Sequence, residues 1–193
     1  MAQKLGFTYI DTGAMYRAVA LWALRAGIDP EDAHRLAPLA RAARIEFRNG
    51  AVLLNGEDVS AEIRKPEVTE AASKVSASPG VRQAMREEQR RIGMENSVVM
   101  EGRDIGTVVF PDAQVKIYLD ADAGERARRR AVETGASAAA IAAEIARRDH
   151  RDRSRREAPL TQAPDAEYID STNLSPEQVE EAILKIIRAR ISN

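Results

Sequence analysis

The chain has 193 residues with a formal net charge of −1, 44% hydrophobic and 31% charged, which suits one soluble α/β domain with a sizeable core and excludes a disordered chain. It has no cysteine, so disulfides and thiolate chemistry are excluded and a cytoplasmic home is expected; no run is long enough to cross a bilayer, and Met1-Ala2-Gln3-Lys4 has no secretory pattern. With only His34 and His150, a histidine zinc site or a Ser–His pair lacks material, and near-neutral charge means that any basic surface must be local.

Gly6-Phe7-Thr8-Tyr9-Ile10-Asp11 alternates and is rich in β-formers, so it reads as a strand. Thr12 is a good N-cap for a helix from Ala14 to about Arg25, with Gly27 as its stop. Tyr16 and Arg17 then lie in the first turns of that helix, just past the carboxyl end of a strand. A cation there opposes the helix dipole. Either a bound anion or Asp11 must answer it.

Asp29-Pro30-Glu31-Asp32 combines a cap with proline at the first helical position, opening a helix interrupted at Pro38. Arg44–Phe47, Ala51–Leu54 and Asp58-Val59 are strand-like runs separated by Asn49-Gly50 and Asn55-Gly56, strong hairpin signals. This small antiparallel meander reads as an insertion. Helices are expected from Pro66 to about Ser76 and from Ser78-Pro79 to about Ile92. By themselves Ser73 and Arg82 read as solvated surface on that helix pair.

Val98–Met100 is an apolar run suited to a strand buried on both faces of a parallel sheet. It breaks into Gly102-Arg103-Asp104, and in open α/β sheets ligands bind where the chain leaves a strand's carboxyl end. Arginine offers a fork for phosphate or carboxylate, and aspartate accepts hydrogen bonds. The alternative is a plain glycine turn with a surface ion pair. A second apolar run, Thr107 to Phe110, ends at Pro111 and holds the Arg-Asp pair from its other side, which favours a site.

Val115–Asp120 is a further strand, feeding a helix that bears Arg126, Arg128, Arg129 and Arg130. Gly135 breaks it, and an alanine-rich helix continues from about Ser137. That helix ends in residues 147–156, where six arginines against two aspartates give a local charge of +4. Arg148, Asp152 and Arg155 fall at i, i+4 and i+7, on one helical face. An aspartate set among arginines suits a pocket for a sugar hydroxyl and a phosphate better than a nucleic-acid arm. Tyr168-Ile169-Asp170 is a last strand, and Ser175-Pro176-Glu177-Gln178 is a capping box with proline at N1, opening a helix to about Arg190. Strands alternating with helices argue a parallel α/β sheet.

Three stretches resemble bacterial cytidylate kinase: Tyr9-Ile10-Asp11-Thr12-Gly13-Ala14-Met15-Tyr16-Arg17, then Gly102–Asp112, then Arg148–Arg155. The resemblance covers essentially the whole chain in order, meander and Arg-rich lid included. It implies a P-loop kinase-like fold, with a core at 1–28 and 95–193, a lid at about 147–160, and a nucleoside monophosphate-binding domain at 29–94 carrying the β insertion at about 44–60. It implies transfer of the terminal phosphoryl group of ATP, with magnesium, to CMP or dCMP, by a cytoplasmic monomer whose partners are small nucleotides, not nucleic acid or membrane. Position by position, it implies that Ser73, Arg82 and Asp104 read the cytosine edge, while Arg17 and Arg103 hold the acceptor phosphate. Tyr16 would line the pocket, Arg148 and Asp152 would contact the sugar, and Arg155 would close on the phosphates. With Arg103 and Arg17, Arg155 makes up the catalytic set. Arg151 and Arg153 would face ATP from the lid; no protein ligand for a metal is implied.

One departure is large. The family opens with a strand and a Gly-rich loop ending Gly-Lys-Ser/Thr, and no Gly-Lys pair occurs here. The expectation is that the first strand and the ATP phosphate loop are missing, through a start called too far downstream or in a truncated, inactive CMP-binding module; the intact acceptor-side motifs favour the former. A nucleic-acid binder using Arg126–Arg130 and Arg147–Arg156 is the rival of a different class, disfavoured by the near-neutral charge and the absence of interleaved aromatics.

Overall fold

Short β-branched and aromatic runs become strands here, and alanine-rich amphipathic runs become the helices packed on them. The computed structural model describes residues 1–48, 50–154 and 158–191. They form two units, one of Ala2–Gly102 and one of Met1 with the residues from Arg103 onward.

The first unit runs α1 (Ala2–Leu5), β1 (Thr8–Asp11), α2 (Thr12–Arg25), α3 (Ala33–Ala42), β2 (Ile45–Arg48), β3 (Ala51–Leu54), β4 (Glu57–Asp58), a 3₁₀ turn (Glu62–Arg64), α4 (Pro66–Val75), α5 (Pro79–Glu95) and β5 (Val98–Glu101). β1 and β5 pair in parallel, from Thr8 opposite Val98 to Asp11 opposite Glu101. The expected meander is present as the antiparallel order β2-β3-β4. Its second turn has positive φ at Asn55 (52°) and Gly56 (86°), the backbone that a two-residue hairpin of matching twist requires. Asn49, in the first turn, lies outside the described residues.

α2 is the centre of this unit. Ala14, Met15, Ala18, Val19, Ala20, Leu21 and Ala23 are all buried, and α2 packs on α4 while α3 packs on α5. Four alanines let neighbouring helices approach closely, and Met15, Met85, Leu36 and Val75 fill what is left. The start of α3 differs from expectation. α3 is capped by Asp32, whose side chain accepts from the Arg35 amide at 3.1 Å, because Asp29 is spent on an Asx turn to the Glu31 amide. The helix also runs through Pro38 instead of stopping, giving up one i→i−4 bond.

The second unit contains a π-helical turn (Ile105–Val109), β6 (Ile117–Asp120), α6 (Ala123–Thr134), α7 (Ala138–Ser154), β7 (Glu167–Asp170) and α8 (Pro176–Ile191). The run Thr107–Phe110 is thus coiled into a wide turn, with Asp104 accepting from the amides of Val108 and Val109 at 2.9 and 3.3 Å. β6 and β7 pair in parallel from Ile117 opposite Glu167 to Asp120 opposite Asp170, and Tyr118 stacks on Tyr168 with ring centres 6.1 Å apart. The capping box of α8 forms both ways: Ser175 N–H donates to Gln178 Oε1 and Gln178 N–H to Ser175 Oγ. Parallel strand pairs flanked by helices, with a small antiparallel insertion, make an α/β chain of the expected class.

The α3–α5 contact makes a checkable demand. A Cβ on Gly80 would lie 2.6 Å from the Cβ of Ala37. Gly80→Ala gains at most about 1 kcal/mol of helix propensity, while overpacking a tight helix contact costs about 1–3 kcal/mol. The variant is expected to lower the urea midpoint; an unchanged or higher midpoint would mean that α3 yields freely.

Candidate active site

Two sets of functional side chains are built, one in each unit. In the first, the carboxyl ends of β1 and β5 meet the start of α2. Asp11, not Thr12, is the N-cap: its Oδ1 accepts from the Ala14 amide at 3.0 Å. Thr12 is buried and donates its hydroxyl to the Glu101 carbonyl at 2.8 Å. Both residues are good caps; the parallel register, which sets Asp11 opposite Glu101, puts the threonine hydroxyl within reach of β5 and leaves the cap to the aspartate.

The second carboxylate oxygen of Asp11 accepts from Arg17 Nη2 at 2.7 Å, so Asp11 is the group that answers Arg17 in the absence of an anion. A Cβ on Gly13 would sit 3.0 Å from Asp11 Oδ1 and 3.2 Å from Arg17 Nη1; glycine there leaves room for the pair. Beside it, partial burial and the hydrogen bond to Glu101 push the Tyr9 phenol well above its ordinary range. Tyr16 is half-buried against the core. Ser73 is half-buried on α4, its carbonyl accepting from Ser76 Oγ. Arg82 is the surprise: it is only 5% exposed, not solvated surface, because its place on α5 turns it inward among Val81, Ala84 and Met85. A buried guanidinium is held in place by its surroundings, which is what recognition of a ligand's edge needs.

In the second unit, Asp152 on α7 stands between two arginines. Its Oδ2 lies 3.4 Å from Arg103 Nε and 3.9 Å from Arg148 Nε, and its side chain is 16% exposed against 40% and 49% for the arginines. Three of the residues expected to meet the substrate are therefore brought together. The Leu160 amide donates to the Asp152 carbonyl at 2.7 Å. Asp104 begins the π-helical turn without capping it. Gly106 lies against the Lys116 stem, where a Cβ would meet Cδ at 3.1 Å, and Lys116 donates to Asp165 Oδ1 at 2.8 Å. Arg151 and Arg153 are exposed on α7. Arg155 lies outside the described residues.

The arginines of α6 are engaged within their own unit. Arg128 and Arg129 fork onto Glu125, holding its carboxyl down at about 2, and Arg129 also reaches the Ser171 carbonyl at 2.6 Å. Arg130 pairs with Glu133, and Arg126 with Asp149. An aspartate among arginines reads as solvated, but Asp149 is buried; the signal for it in the sequence is that it continues the Ile141, Ile145 stripe at i+4.

If Asp11 does both jobs, two substitutions separate them. Asp11→Ala loses cap and ion pair and should cost about 1–2 kcal/mol. Asp11→Asn keeps a cap acceptor and should cost less than about 1 kcal/mol, as for a partly exposed pair. Equal losses by urea denaturation would place the whole effect in the charge.

Comparison with known proteins gives one consistent result. Residues 1–189 match the family model described as Cytidylate kinase. A curated cytidylate kinase of Solibacter usitatus is 60% identical over all of this chain and 86% of its own length. One from Geobacter sp. strain M21 is 49% identical over 100% of this chain and 86% of the relative. One from Pasteurella multocida is 48% identical over 99% and 88%.

Proposed function

The chain belongs to the cytidylate kinase family, and from that premise we propose that it moves the terminal phosphoryl group of ATP onto CMP or dCMP, giving CDP or dCDP. Membership makes it a nucleotide phosphotransferase. The observation that carries the finer reading is Asp152 set between Arg103 and Arg148 at 3.4 and 3.9 Å. A carboxylate among guanidiniums can accept from a sugar hydroxyl while a neighbouring cation takes phosphate oxygens.

Each side chain then has a role toward the substrate. Asp104 accepts from the exocyclic amine of cytosine, while Arg82 and Ser73 donate to its ring acceptors, a pattern that uracil reverses at the 4-position and at N3. Arg17 exchanges Asp11 for the acceptor phosphate, Arg103 takes the same group, and Tyr16 lines the pocket. Arg148 and Asp152 hold the sugar. Arg155 closes on the phosphates, where charge builds up during transfer. When bound, magnesium ATP supplies the phosphoryl group. The exposed Arg151 and Arg153 fit its polyphosphate by charge, and the metal is assigned to the phosphate oxygens. Phosphoryl transfer asks little more of a protein than such positioning and neutralisation. This reading takes residues 1–28 with 95–193 as the core, 147–160 as the lid and 29–94 as the part that holds the monophosphate, in a cytoplasmic monomer. A CMP-binding module without turnover is the second reading.

Calorimetric titration and a turnover assay test this. CMP should bind saturably and AMP at least about tenfold more weakly, the difference of one charged hydrogen bond. CDP formation from CMP and magnesium ATP supports the kinase; CMP binding without CDP selects the module; equal binding of AMP removes the base assignment. Asp104→Ala should weaken CMP binding about tenfold or more, because a charged hydrogen-bond partner is worth about 1.5–3 kcal/mol, and should narrow the preference for CMP over UMP. Unchanged affinity and preference would take Asp104 out of the base site.

A further inference from the structure

α7 packs along α6 but buries few of its own residues. Of its residues only Ile141 and Asp149 are buried, the second at 6% exposure. They stand eight residues apart, about two helical turns. Between α6 and α7 lies a cavity of about 550 Å³ lined by Ala123, Ala142, Ile145 and Ala146 beside Arg126 and Asp149. Apolar packing therefore does not fix the far end of the helix. What fixes it is a bond from Arg126 Nη1 to Asp149 Oδ2 at 2.6 Å. Arg126 is itself anchored, with its Nε donating to the Ala121 carbonyl at 3.1 Å at the start of α6. Asp149 is the one buried carboxylate among the described residues.

Asp149 follows Arg148 and precedes Asp152 by three. On an α-helix both lie on the same side of it, at about 100° and about 60°, and so only about 40° from each other. Turning α7 by one residue would carry Arg148 and Asp152 off the face they share with Arg103. We propose that Arg126 and Asp149 are positioning residues for the substrate: their ion pair sets the rotation of α7 and so aims Arg148 and Asp152. The proposal rests on the assignment of those two side chains to the sugar. Neither positioning residue touches the substrate.

The test is CMP binding to the intact chain by calorimetry, in a double-mutant cycle. Asp149→Asn, which keeps shape and loses charge, should weaken CMP binding about tenfold, and Asp149→Glu should restore most of it. Once Asp152→Ala has removed the group being aimed, adding Asp149→Asn should change affinity by less than about twofold. A purely structural pair would instead lower the melting temperature and leave CMP affinity alone, or give additive losses; either result overturns the proposal. If Asp149→Asn does not fold, Arg126→Lys, which keeps a charge on Asp149 but loses the fork, takes its place in the cycle, and failure of both to fold overturns it too. An effect at Asp152 with none at Asp149 overturns the positioning role alone. Asp152→Ala binding CMP like the parent overturns the sugar assignment, and the proposal with it.

Discussion

A charge removed from water must be met by another charge or by hydrogen bonds, and that requirement decides where the functional side chains of this protein stand. Asp11 shows it most fully. It sits at the end of a strand with three amides of α2 ahead of it and a guanidinium beside it, and one carboxylate serves both, at 3.0 Å to Ala14 N and 2.7 Å to Arg17. Remove the carboxylate, and the start of α2 has an uncapped amide and a cation placed against the helix dipole. The strand register, the glycine at 13 and the threonine bonded to Glu101 all serve to hold that arrangement.

The same arrangement bears on ligand capture. Arg17 already has Asp11 as a partner, so on the proposed reading an incoming phosphate would exchange one anion for another instead of meeting a solvated arginine. The ordering cost of the long side chain is already met in folding, and part of the affinity is given up to displacing Asp11. Asp152 poses the mirror case: a carboxylate flanked by two arginines is electrostatically content as it stands, yet retains acceptor capacity for a hydroxyl.

Most elements were legible in the sequence, because local signals fix them. Asn55-Gly56 demands its turn, Ser175 with Gln178 demands its cap, and the shared face of Arg148 and Asp152 follows from helix period alone. The failures are all tertiary. Asp11 and Thr12 compete for one cap, and the contest is settled by a strand almost ninety positions later. Asp29 and Asp32 compete likewise, and the Asx turn at Asp29 settles it. Arg82 reads as surface because nothing in its neighbours' spacing says that α5 presents this position to the interior. Asp149 has its partner 23 residues away on another helix, and no periodicity within α7 can name that partner, although the Ile141, Ile145 stripe marks the face.

The two units carry their stability differently, and this shapes how function and folding are coupled. Around α2 the core is broad and apolar, so a polar substitution at its edge is buffered by many neighbours. Among the described residues from Arg103 onward the buried apolar side chains are few, and three of the seven are alanine: Ala121, Ala127 and Ala163 beside Val109, Ile141, Ile169 and Ile183. Little burial is available there at about 25 cal/mol per Å², and polar ties such as Arg126–Asp149, Arg129–Ser171 and Lys116–Asp165 do a larger share of the holding. The exposed guanidiniums along α7 add like-charge repulsion, which an anionic ligand relieves. In such a unit a phosphate or nucleotide is a stabilising component as well as a substrate, because whatever binds only the folded form raises its stability by mass action. The Arg-rich helix that looks costly when empty is therefore at its most stable when engaged.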